Sequence, residues 1–90
     1  MMKLILYSKP GCHLCEGLQE KLEQIQTIQF DLEIRDITTR DDWFQAYQYE
    51  IPVLFLESAS SSSPSPLPRP SPRATVQQLA NLLQKYCSAG

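Results

Sequence analysis

Two cysteines separated by two residues, Cys12-His13-Leu14-Cys15, are the groups in this chain whose type and spacing could do covalent chemistry, and that chemistry is thiol-disulfide exchange. They follow a short apolar run and precede a helical pattern. A helix N-terminus carries unpaired N–H groups and a partial positive charge, so it favours a thiolate over a thiol. An ordinary cysteine with a pKa of about 8.5 is only a few per cent ionised at pH 7, whereas one lowered to about 6 is roughly 90 % ionised. Placement at a helix start is therefore enough to make Cys12 a working nucleophile.

Positioning falls to the surrounding elements. Residues 3–7 form an apolar run that ends in the turn cluster Ser8-Lys9-Pro10-Gly11, which predicts a buried strand feeding a loop that carries Cys12. Leu14, Leu18, Leu22 and Ile25 then recur at helical spacing among polar residues, with Gly17 as a weak point that serves either close packing or nothing. Phe30, Leu32 and Ile34 alternate with Asp31, Glu33 and Arg35, the period of a strand with one dry face. Thr38 and Thr39 are candidate caps for a helix with Asp41 and Asp42 in its first turn and Trp43, Ala46 and Tyr47 as its apolar stripe. Residues 51–56 read as a third, central strand. Thr75 with Gln78 makes a capping box before Val76, Leu79, Leu82, Leu83 and Tyr86, a last helix. Trp43, Phe44, Tyr47 and Tyr49 read as packing residues rather than a binding platform, and Tyr7 as core.

The stretch 58–72 is serine and proline apart from Ala59, Leu67 and Arg69. Prolines at 64, 66, 68, 70 and 72 put every missing N–H on one side of an extended chain. One reading makes part of 65–70 an outer edge strand, paired through Leu67, whose prolines stop further strands from adding. The other, to which composition alone leans, is a polyproline-like loop with residues 60–63 disordered.

A chain of 90 residues with 42 % apolar content can build one small domain, 1–90, but not two cores. A net charge of −2 without a basic stripe argues against nucleic acid and against a charged membrane surface. The N-terminal apolar run is shorter than a secretory core and nothing approaches a membrane span, so a soluble cytoplasmic protein is expected. Three cysteines with one close pair fit a redox motif in a reducing compartment better than a disulfide scaffold.

The stretch 6–15, Leu-Tyr-Ser-Lys-Pro-Gly-Cys-His-Leu-Cys, resembles a glutaredoxin active-site loop, and Ile51-Pro52-Val53 resembles the cis-proline segment of the same family. The chain is similar to glutaredoxin-like members of the thioredoxin superfamily, particularly short bacterial ones of uncharacterised role. The resemblance spans roughly residues 2–57 and 74–87. It implies an α/β thioredoxin-like (glutaredoxin-type) fold: a four-stranded mixed sheet, three flanking helices and a cis Ile51–Pro52 bond beside Cys12. It further implies that Lys9 engages a glutathione carboxylate and that backbone groups at Ile51, ahead of Pro52, hold an extended substrate. The chain departs from the family where a glycine-rich turn and an acidic residue would hold the glutamyl end of glutathione, since the serine-proline stretch stands there. Glu50, in place of the usual threonine two before the cis-proline, would repel glutathione carboxylates.

The expected activity is that of a thiol-disulfide oxidoreductase, with Cys12 attacking a substrate disulfide and Cys15, more buried, resolving the mixed disulfide. Lys9 could lower the Cys12 pKa through space, and a protonated His13 would stabilise the reduced form. The substrate would be a disulfide-containing protein or a small thiol, handled by a monomer. No cofactor is required; glutathione is a candidate electron donor. A zinc site would need four ligands, and Cys87 at the far end of the last helix is too remote to complete one with His13, so no metal is expected. The alternative from another class is a redox-silent thioredoxin-fold module that binds a protein partner.

Overall fold

The computed structural model describes residues 2–26, 28–57, 64–68, 70–71 and 73–87. Four strands, β1 (Met2–Ser8), β2 (Phe30–Asp36), β3 (Val53–Glu57) and β4 (Ser65–Pro66), form one sheet in the order β2-β1-β3-β4. β1 pairs parallel with β2 and antiparallel with β3, and β3 pairs antiparallel with β4. The parallel pair requires a crossover. It is supplied by α1 (His13–Glu23), while α2 (Asp41–Tyr47) and α3 (Val76–Cys87) complete the three helices of the expected α/β fold.

Alternation along β1 splits the interior into two layers. Leu4 and Leu6 join Leu54 beneath α1 and α3, where Leu18, Leu22, Ile25, Leu79, Ala80 and Leu83 close an aliphatic core. Ile5 and Tyr7 point the other way and meet Ile37 under Trp43, Phe44, Tyr47, Val53 and Phe55. The Tyr7 ring stacks at 4.4 Å from that of Tyr47, with Trp43 and Phe55 edge-on at 5.7 and 5.6 Å. At the rim of this layer Arg35 donates to Tyr7 Oη and to Glu33, and Lys3 Nζ lies 2.6 Å from Glu33 Oε1. Hydrogen bonds from Lys3 and then Arg35 hold the Glu33 carboxyl below its ordinary range.

Four local expectations are corrected. Thr38 and Thr39 do not cap α2: Asp36 accepts from Thr38 N–H and Oγ1 and so caps a short 3-10 turn, Ile37–Thr39, leaving Arg40 before α2 without a side-chain cap. Ala46 is exposed, and Phe44 takes its place against the sheet. Ile34 is 38 % exposed, because β2 is an edge strand and its dry face runs out at that end. Tyr49 is 89 % exposed and packs nothing. The capping box at α3 forms as expected, with Thr75 N–H donating to Gln78 Oε1 and Gln78 N–H to Thr75 Oγ1.

The serine-proline stretch resolves toward the edge strand rather than the loop that composition suggested. Ser65 and Pro66 pair with Leu56 and Phe55, and Leu67 N–H donates to Leu54 O at 3.0 Å with the Leu67 side chain buried. Odd positions face β3, so the prolines at 64, 66 and 68 carry their missing donors on the outside. A buried leucine and a main-chain bond outweigh the coil preference of its neighbours. The expectation for 60–63 lies outside the described residues.

Candidate redox site

The loop after β1 aims the first cysteine. Gly11 has φ +82°, a conformation that a side chain would strain, and it lets Cys12 N–H turn back to Lys9 O at 3.2 Å. Cys12 is the residue that caps α1: its backbone is extended (φ −85°, ψ 101°), and its carbonyl accepts from Glu16 N–H at 3.0 Å. Its sulfur accepts from the Cys15 N–H at 3.2 Å. The Cys12 sulfur at this position does the work that a Ser or Asp oxygen does at other helix starts, and a negative sulfur would be held there by an otherwise orphan donor and by the helix dipole.

Cys15, one turn in, is 2 % exposed, whereas Cys12 is partly open to solvent. The two are joined as a disulfide with Cα atoms 5.3 Å apart, inside the usual span of about 4.4–6.8 Å. Residue spacing on one helical turn thus brings the sulfurs together with one face accessible and the other covered.

Around the pair the expected ligands are distributed unevenly. Pro52 follows a cis Ile51–Pro52 bond, is buried, and lines a groove of about 150 Å³ together with His13, Leu14, Gly17, Pro70 and Leu79. Ile51 N–H donates to Tyr47 O at 3.1 Å, so that donor is already engaged within the fold. Lys9 is exposed, with no side-chain partner among the described residues. The His13 side chain is 94 % exposed, and its Nδ1 lies 3.6 Å from Glu16 Oε2, so a charge on the imidazole would be shared with that carboxylate. Glu50 is exposed beside the cis-proline, on the wall of a neighbouring groove lined by Pro52, Val53, Leu54 and Leu67.

Of the lining residues only His13 and Pro52 were read as site residues from the sequence. Leu14 fits the apolar spacing of α1 but is 51 % exposed, because Cys15 fills the core beneath the first turn and turns Leu14 toward the groove. Gly17 serves no close packing: a Cβ there would meet nothing within 4 Å, and the residue forms part of the groove wall. At the far end Lys21 Nζ donates to Ala74 O at 2.6 Å, tying α1 to the approach of α3.

A family model described as Glutaredoxin-like domain (DUF836) matches residues 3–84. The chain belongs to this glutaredoxin-like family. Among solved structures the glutaredoxin-like domain is similar to one described as the structure of a malarial protein. That match has 13 % identity and a TM-score of 0.65, covering 94 % of this chain and 96 % of that one. It is also similar to a designed protein, with 17 % identity and a TM-score of 0.56 over 96 % of this chain and 80 % of that one. At such identities these likenesses speak to the fold alone. No curated protein matches the glutaredoxin-like domain in sequence. Among the described residues no helix is long and apolar enough to cross a membrane.

Proposed function

We propose that this glutaredoxin-like domain is a thiol-disulfide oxidoreductase that works through Cys12 and Cys15. The observation that carries the reading is the Cys12 sulfur, partly open to solvent, receiving the Cys15 N–H at the start of α1 while Cys15 itself is covered. In the reduced domain the Cys12 thiolate attacks one sulfur of a substrate disulfide, forming a mixed disulfide and releasing the other substrate sulfur as a thiolate. Cys15, losing its proton, then attacks the Cys12 sulfur. The second substrate thiolate leaves, the substrate has gained two electrons, and the domain is left as the Cys12–Cys15 disulfide. A dithiol or two molecules of a thiol such as glutathione restores it.

Pro52 shapes the wall against which the substrate lies, and exposed Lys9, whose carbonyl accepts the Cys12 N–H, supplies a cation on the loop that carries Cys12. His13, when protonated, favours the thiolate, less strongly for its proximity to Glu16. The substrate is a disulfide, carried by a protein or formed from a small thiol, and the reaction belongs in a reducing compartment such as the cytoplasm. Turnover of a model disulfide, with reduction of the isolated domain by glutathione compared against a thioredoxin reductase system, tests this. Wild type should turn over, Cys12→Ser should lose all activity, and Cys15→Ser should trap a mixed disulfide. A wild-type domain no more active than Cys12→Ser overturns the reading in favour of a redox-silent binding module.

A further inference from the structure

The two edges of the sheet are built to opposite specifications. On the β4 side, prolines at 64, 66 and 68 turn donor-free nitrogens outward and offer a further strand no N–H to bond. On the other side β2 is seven residues long, contains no proline, and among the described residues pairs with β1 alone. An open strand edge of that length is a template for another strand, and the half-exposed Ile34 lies on it.

We propose that β2 is a self-association surface, on which a second copy of this chain pairs antiparallel about a two-fold axis through Glu33 and joins the two sheets into one. The reason is the charge order along the strand. Antiparallel pairing centred on Glu33 sets Asp31 of each copy opposite Arg35 of the other, and Leu32 opposite Ile34, over the full strand Phe30–Asp36. The register with β1 keeps the faces matched: Asp31, Glu33 and Arg35 lie with Lys3, Ile5 and Tyr7, and Leu32 and Ile34 with Leu4 and Leu6. The two Glu33 carboxylates meet at the axis, and each is already paired with Lys3 and Arg35 of its own chain. The same register opposes Phe30 to Asp36, and it is the one that pairs all seven residues of the strand. A shift by one residue sets charged positions against apolar ones. A shift by two either opposes Asp31 to Glu33 and leaves Arg35 and Asp36 without partners in the strand, or opposes Glu33 to Arg35 and leaves Phe30 and Asp31 without them. An interface of one strand pair is small, well below the roughly 1,200 Å² of stable complexes, so the dimer is weak and concentration-dependent.

Sedimentation equilibrium of the reduced, full-length chain up to about 1 mM, the affinity range of such small interfaces, tests the surface without contribution from intermolecular disulfides. Wild type should show reversible dimerisation, weakened at least tenfold by Asp31→Lys, which places two cations opposite each other twice per dimer. Cross-linking fixes the register. In a background with Cys12, Cys15 and Cys87 changed to Ser, Glu33→Cys puts two thiols across the axis, where opposed strands lie about 4.5–5.5 Å apart at Cα and a disulfide fits. Oxidised Glu33→Cys should form dimer at least tenfold faster than Asp31→Cys, whose thiols lie four residues out of register. A strictly monomeric wild type, or equal cross-linking of the two variants with native circular dichroism, would overturn the proposal.

Discussion

The two faces of the sheet hold the same strands by different means. Beneath α1 and α3 the filling is aliphatic and nearly closed: Leu4, Leu6, Leu22, Leu54, Leu79 and Leu83 are each at most 2 % exposed. Beneath α2 it is aromatic and only partly covered, with Tyr7 among Trp43, Tyr47 and Phe55 and a rim of Arg35, Glu33 and Lys3. Stability is concentrated on the first face, and the redox pair sits at its end, on the first turn of the helix that face anchors. The second face tolerates water at its edge because its aromatic and charged groups satisfy one another: Arg35 lies 5.6 and 5.4 Å from the Tyr7 and Trp43 rings, and Arg40 5.0 Å from Trp43.

Substitutions can break or sharpen that contrast. The largest effect is expected for Leu79→Ala, which opens a cavity in the aliphatic face and should cost about 3 kcal/mol, read from denaturant unfolding. Phe44→Ala on the other, half-open face should cost distinctly less in the same measurement. Removing the cap of α3 by Thr75→Ala should cost about 1 kcal/mol, because Gln78 N–H then loses its acceptor. Gly17→Ala should go the other way and stabilise by about 0.5–1 kcal/mol, since its Cβ meets open space and alanine is the better helix former. The same change narrows the groove, so a gain in stability with slower turnover would separate the wall of the site from its scaffold.

The smallest expected effect is a pH dependence on the aromatic face. Lys3 and Arg35 lower the Glu33 pKa in the folded chain. The stability this supplies is present above the unfolded value of about 4.3 and is lost as pH falls through the depressed folded value. Glu33→Gln should therefore flatten the acid limb of the stability profile and leave neutral stability little changed, given the solvent exposure of the pair.

Most of the frame was legible because periodicity and capping chemistry are local. The Thr75–Gln78 box, the leucine spacing of α1 and the alternation of β2 each named their element. The sequence was misleading where two neighbouring caps competed or where a distant partner decided the outcome. Asp36 outcompeted Thr38 as a cap because the chain tightens into a 3-10 turn before α2, and Leu67 was drawn into β4 by a bond to Leu54 that composition does not encode. At the site, the cysteines, their order of burial and the cis-proline were readable from spacing and resemblance. The groove was not, because Leu14, Gly17, Pro70 and Leu79 converge from three segments far apart in sequence.

The central claim is that the start of α1 primes Cys12 as a thiolate. Alkylation of the reduced domain across pH, with the modified residue identified by mass, measures it most directly. The account predicts that Cys12 reacts first, with a midpoint well below the ordinary thiol value of about 8.5, and that Cys15 stays protected. A Cys12 midpoint at or above that value, or a Cys15 that reacts first, would contradict it.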